Sequence, residues 1–135
     1  MLTWVLLSYC EQEPPFVPTP DYNFFIALIE SGVDTNNDSI ISHAEAAAVT
    51  FLNVRARNIS DLTGIEKFIN LETLFCSDNQ LLTVDLSTNS ELNWLWIDDI
   101  PILHEVCVWT LPFPPTGFHL KVNGSPNAYF TTDCK

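Results

Sequence analysis

The feature that most restricts this chain is a repeat. The segments Val49-x-x-Leu52-x-Val54, Leu71-x-x-Leu74-x-Cys76 and Leu92-x-x-Leu95-x-Ile97 superpose at a period of 21–22 residues. A unit that short cannot bury a core alone, so neighbouring units must stack into a solenoid. Side chains alternate along a strand, which turns the leucines inward and the residues between them outward onto a concave sheet. The outward set is Phe51, Asn53 and Arg55, then Thr73, Phe75 and Ser77, then Trp94, Trp96 and Asp98. Phe75 and Trp96 fall side by side, with Trp94 diagonal to Phe75. Adjacent outward aromatics mark a contact surface for a ligand, unless Trp109, Phe113 and Phe118 of the C-terminal segment fold over them; the sequence leaves both arrangements open.

These segments resemble the L-x-x-L-x-L strand of leucine-rich repeats. Asn79 sits at the asparagine position, where the side chain bonds backbone amides in the turn; Arg57 and Ile100 replace it in the flanking units, as suits degenerate capping repeats. The stretch CSDNQLLTVDLSTNSEL is similar to the short repeats of secreted and surface proteins of Bacteroidota-type bacteria, and NISDLTGIEKFINLETL is similar to their entry repeat. The resemblance spans about residues 20 to 134 and implies no defined biochemical activity. It also implies that Cys107, in the last strand, pairs with Cys134. That bridge closes a loop of 27 residues, worth about 3–4 kcal/mol in the chain-entropy model; two free buried thiols are the alternative. Cys76 takes an inward strand position, where cysteine acts as a small apolar residue.

Ahead of the repeats, Asp21 is placed to cap a helix carrying Phe24, Phe25, Leu28 and Ile29, which Gly32 ends. The twelve residues DTNNDSIISHAE then match the EF-hand loop. Asp34, Asn36 and Asp38 supply side-chain oxygens on alternate residues, Ile40 a carbonyl, Ser42 the ninth position and Glu45 the closing carboxylate. Ile41 turns away to pack on the body, His43 faces solvent, and an alanine-rich helix runs roughly from His43 to Phe51. The implied cofactor is one Ca2+. Ser39 stands where the turn needs a left-handed backbone and glycine is usual, a strain of about 1–2 kcal/mol, so weak binding of roughly 0.1–1 mM is expected. Ser42-x-x-Glu45 is equally a helix capping box, and such segments make ordinary turns. The loop also resembles one dockerin half-site.

The first ten residues are apolar and end in Cys10. The run is too short for a bilayer span, which takes about 20 residues. It reads as a signal remnant or as an apolar strip on the fold. Followed by an acidic, proline-rich tether, it also resembles a bacterial lipoprotein start with Cys10 acylated, although Tyr9 is bulky for a lipobox.

The expected organisation is signal remnant and tether (1–20), EF-hand-like helix–loop–helix (21–48), leucine-rich repeats (49–111) and a C-terminal cap (112–135). The fold class is α+β: a helix–loop–helix cap on a short leucine-rich-repeat solenoid with a disulfide-closed C-terminal segment. Seventeen acidic against five basic side chains give a net charge of −12, which repels nucleic acid and anionic membranes and attracts cations. No hydrolase, zinc-protease, P-loop or dinucleotide fingerprint is present, and Asp98 and Asp99 would lie on opposite faces of a strand. The sequence therefore predicts a non-enzymatic, monomeric, secreted or outer-surface module, possible as a lipid-anchored form, that recognises a protein or glycan. The alternative is a purely structural, calcium-stabilised cap or spacer of a larger surface protein.

Overall fold

The Asp21 side chain starts the first helix by accepting the Phe24 amide at 3.0 Å. The computed structural model, which describes residues 14–134, runs this helix, α1, over Tyr22–Glu30 and ends it just before Gly32 at φ 81°. Its inner face puts Phe24, Ala27 and Leu28 wholly out of solvent. The second Asp21 oxygen accepts the amides of Ser60 and Asp61 at 2.8 and 3.0 Å, which ties the cap to the first repeat. The next helix, α2, is His43–Ala47 and opens with a full capping box between Ser42 and Glu45. It stops short of Phe51, because Val49 and Thr50 are β-branched and the chain must extend to place Leu52 opposite Leu74.

Seven three-residue strands follow: β1 Phe51–Asn53, β2 Thr73–Phe75, β3 Thr83–Asp85, β4 Trp94–Trp96, β5 Glu105–Cys107, β6 His119–Lys121 and β7 Tyr129–Thr131. The first sheet has the order β1-β2-β4-β6, the second β3-β5-β7, and every pairing is parallel. Leu52, Leu74, Leu95 and Leu120 fall in register across the first sheet, as do Val84, Val106 and Phe130 across the second. In the first coil the described residues form no second-sheet strand, and a 3-10 turn, Ile65–Lys67, lies between β1 and β2. The core between the sheets includes Val54, Cys76, Ile97, Leu81, Leu86 and Val108.

Each coil leaves the first sheet through a left-handed residue three positions past its strand: Ala56, Asp78, Asp99 and Gly124, at φ 55°, 56°, 56° and 80°. The last must be glycine, since an added Cβ would lie 3.1 Å from the Asp99 backbone. Asn79 does what its position implied. Its Oδ1 accepts the amides of Arg57 and Ile59, and its Nδ2 donates to the carbonyls of Val54, Cys76 and Ser77. In the last turn Ser125 takes that part, accepting from the Ile100 amide and donating to the Ile97 carbonyl.

Two expectations change. Residues 112–134 break the sequence period, yet they form a further coil, with β6 and β7 extending both sheets. Residues 14–20 do not hang free as a tether. Val17 is buried and donates to the Ile41 carbonyl at 2.7 Å, Phe16 bridges Ser42, and the strap passes so close to Gly64 that a Cβ there would meet the Pro18 carbonyl at 2.8 Å. Cys10 and the apolar start lie outside the described residues. Among the described residues no helix is long and apolar enough to cross a membrane.

Candidate functional site

Parallel, in-register pairing places equivalent side chains of neighbouring coils about 4.8 Å apart, the spacing at which flat rings stack. Phe75 and Trp96 do so, with centroids 4.0 Å apart and planes 20° from parallel. Phe51 meets Phe75 edge-on at 5.5 Å. Trp94 stacks on His119 at 4.0 Å, and the Lys121 ammonium lies 4.8 Å from the Trp96 ring centre. The result is a ladder of rings across all four strands of the first sheet. Phe51 and Trp94 keep 57% and 40% of their surface exposed.

The C-terminal aromatics do not cover this ladder. Trp109, Phe113, Phe118 and Phe130 contact one another and pack on the core of the last coil. His119 and Lys121 were missed as members of the surface, because the 25-residue step from Leu95 to Leu120 hides β6 from a 21–22-residue period.

Ser77 and Asp98, expected to face outward, are buried. The chain is already turning toward Asp78 and Asp99 at these positions, so strand alternation no longer applies. The Ser77 hydroxyl donates to Asp98, and the Lys121 Nζ stands 3.6 Å from the Asp98 carboxylate. Burial alone would raise the Asp98 pKa; the hydrogen bond from Ser77 and the charge of Lys121 outweigh it and hold the carboxyl below its ordinary value. Arg55 pairs with Asp78 at 3.1 Å. The two cations beside the aromatic ladder are thus both neutralised.

The loop from Asp34 to Glu45 keeps its donor residues together. Asp34 is 9% exposed and accepts the Asp38 and Ser39 amides at 3.2 and 2.8 Å. Asn36 accepts from the Asp38 amide, and Asp38 from the Ile40 amide. Ser39 takes φ 63° and Asn37 φ 61°, so the left-handed turn is real despite the missing glycine. Ile41 is buried as expected. His43 is half-buried rather than solvent-facing, with its Nε2 2.9 Å from the Pro14 carbonyl of the strap.

Glu45 reaches back across the loop to the Thr35 amide at 2.9 Å and to the Ser42 amide and hydroxyl. These hydrogen bonds, the Ser42 amide first, lower its pKa to about 2. Among the described residues, the one trio of metal-ligating types whose ligand atoms all lie within 4.8 Å is Asp85, Cys107 and Cys134, and its two sulfurs are joined in a disulfide. Asp34, Asp38 and Glu45 are not drawn that close; their oxygens are turned to loop amides. The donor set, oxygen only and three carboxylates, suits a hard cation, and each carboxylate keeps lone pairs beyond the amides it accepts.

Cys107 and Cys134 form the disulfide that the resemblance implied, with Cα atoms 5.6 Å apart. Cys76 is a free, fully buried thiol.

Parallel three-residue strands, a left-handed turn after each first-sheet strand and the buried turn asparagine Asn79 define a short leucine-rich-repeat-type solenoid. No protein-family model matches the chain. It is 35% identical over 71 residues to internalin J of Listeria monocytogenes serotype 4b (strain F2365), a stretch that is 53% of this chain and 8% of that protein. The functional domain of InlJ from Listeria monocytogenes, described as including a cysteine ladder, matches with a TM-score of 0.53 and 27% identity over 83% of this chain and 23% of its own. Internalin C2 of the same species matches with a TM-score of 0.55 and 18% identity, over 88% of this chain and 59% of its own; this likeness bears on fold alone. In the present chain Val54 and Ile97 flank Cys76 in its column, so no ladder of cysteines forms.

Proposed function

We propose that the chain is a non-enzymatic extracellular recognition module that binds a protein through the outer face of its first sheet. The aromatic ladder carries this reading. A glycan would need a free ring face to stack on, but Trp96 has Phe75 on one face and the Lys121 ammonium close by, and Trp94 is stacked on His119. With Trp96 flanked on both sides and Trp94 on one, the ladder offers exposed apolar rings beside neutralised charge, a surface that fits apolar protein side chains in a desolvated contact. The similarity to internalin J supports an extracellular setting. The spacer alternative requires a covered ladder, and the C-terminal aromatics pack elsewhere. Acylation at Cys10 would hold the module at a membrane.

The test is a screen against displayed ectodomains and, in parallel, a glycan array. A protein hit should weaken by at least about thirtyfold, roughly 2 kcal/mol, in Trp96→Ala and Phe75→Ala, with the melting temperature checked separately. Glycan hits that depend on Trp96, or protein hits indifferent to both substitutions, would defeat the reading.

One Ca2+ in the Asp34–Glu45 loop belongs to the same proposal, as a structural ion. Asp34, Asn36, Asp38, the Ile40 carbonyl, Ser42 and Glu45 are the ligands, and the ion would tie the loop to the first repeat. Its support is the alternating oxygen donors wrapped on a left-handed turn. Calorimetry should find one site that disappears in Asp34→Ala; silence at millimolar calcium would remove the ion from the proposal and leave the sheet face untouched.

A further inference from the structure

We infer that the outer edge of β3 is a second docking site, separate from the aromatic face, where a basic, extended segment of a partner protein adds a strand. The second sheet has the order β3-β5-β7, and among the described residues no strand pairs with the other side of β3. The Gln80 amide donates to the Ile59 carbonyl ahead of this strand. Past it, the Thr88 hydroxyl and the Asn89 side chain donate to the carbonyls of Glu66 and Ile65. Between these two ties the first coil stands away from β3 and leaves a groove of about 330 Å3 along all three strand residues. Leu62, Ile65 and Val84 line it and are themselves buried, so the groove opens onto the solenoid without breaching its core.

The backbone of β3 points the right way for strand addition. Leu82 accepts the His104 amide and Leu86 donates to the Cys107 carbonyl, both on the β5 side. Alternate residues of a strand bond to the same neighbour, so Thr83 and Asp85 direct their amides and carbonyls into the groove. Both residues are exposed. An edge of this kind takes up an extended chain through main-chain hydrogen bonds.

Charge selects the occupant. Asp61, Glu66 and Asp85 stand around the groove, and no lysine or arginine lines it. A like-charged strand is repelled there and a basic one is drawn in. Residues 1–13 of this chain hold two glutamates and neither lysine nor arginine, so they do not meet that demand. A second copy does not meet it either. The net charge of −12 repels it, and its one alternating basic pair, Arg55 and Arg57, is bound to Asp78 and Glu30 on either side of the left-handed Ala56. The partner is therefore another protein that offers basic residues on alternate positions of an extended segment.

The experiment titrates the isotope-labelled full chain with a short blocked peptide of alternating lysine and valine, read by nuclear magnetic resonance and amide exchange. The Thr83 and Asp85 amides should exchange fast in the free chain and slow down in the complex. The peptide in which glutamate replaces lysine should not bind. Methylating the peptide's amide nitrogens on the bonding edge should weaken it by about tenfold or more, which separates strand addition from plain charge attraction. Glu66→Lys should weaken binding to a similar extent, with the melt showing an intact fold; Asp61→Asn, which keeps an oxygen for the Thr63 amide, serves as a second variant. Slow exchange at Thr83 and Asp85 in the free chain would mean that the protein fills this edge itself, and overturns the inference. So does a failure to bind up to the solubility of the peptide, or binding that leaves both amides unprotected or tolerates the methylated peptide.

Discussion

At its N-terminal end the solenoid is closed by a helix that takes Phe24, Ala27 and Leu28 entirely out of water, while at its C-terminal end Leu120 and Phe130 stay half-exposed and a disulfide holds the last coil. The helix removes apolar surface from solvent and brings a polar loop with it. The disulfide acts chiefly on the unfolded chain, whose freedom it restricts. One end of the described chain is therefore stabilised chiefly by burial and the other by connection as well.

The comparison breaks most readily at the helix. Phe24→Ala should cost about 3–5 kcal/mol in urea unfolding, the range for truncating a buried aromatic; a loss under 1 kcal/mol would mean that α1 does not seal the core. Replacing Cys107 and Cys134 together by serine should cost about 3–4 kcal/mol for a closed loop of 27 residues. Hydrogen exchange should then localise the loosening to β6 and β7, and uniform loosening would contradict the division between the ends. Calcium sharpens the other side. At a hundredfold excess over its dissociation constant it should raise stability by about 2.7 kcal/mol, with protection gained around α1 and α2, unchanged circular dichroism and little binding of a hydrophobic dye below the melt. Dye binding induced by calcium in the folded state would make the loop a switch instead.

Asp98 probes the joint between the last coil and the rest. Its folded pKa lies below the ordinary 3.8, so its contribution is fully present above about pH 4 and is lost as pH falls through the lower, folded value. Asp98→Asn should cost about 1–3 kcal/mol at neutral pH, and the gap to the parent should narrow below pH 4; a gap that widens with acid would reverse the assignment. The smallest effect belongs to Ser39→Gly, which should add about 1 kcal/mol by relieving the left-handed strain at φ 63°, with or without calcium present.

The elements that sequence reasoning found are those with several constraints per turn of chain. Asp34, Asn36 and Asp38 alternate strictly, and the place of Ser39 in that order called for the left-handed backbone that it has. Leu52, Leu74 and Leu95 repeat on a near-fixed step and gave the first sheet and its register. The second sheet went unseen because Thr83–Asp85, Glu105–Cys107 and Tyr129–Thr131 are three-residue strands with one inward side chain facing the opposite sheet, too little to form a period. Ser77 and Asp98 were placed on the wrong side for a related reason: alternation was carried two residues past strands that are three long. The proline-rich strap shows no periodicity either, since a single residue, Val17, docks it. The ring ladder was visible in Phe75, Trp94 and Trp96, but whether other rings lay on top of it was a question about the path of residues 108–118, which sequence spacing does not encode.

Cys76 has a consequence of another kind. Burial first, and then the nearby charge of Asp98, push its thiol up to about 12, so the reactive thiolate is almost absent while the middle coil stays shut. An alkylating reagent reaches the sulfur only when β2 and its neighbours part. The rate at which the Cys76 peptide gains mass, divided by the rate for an unhindered thiol, is then a direct reading of how often the centre of the solenoid opens: a stopwatch built into the chain, needing no engineered thiol and keeping time separately from either end.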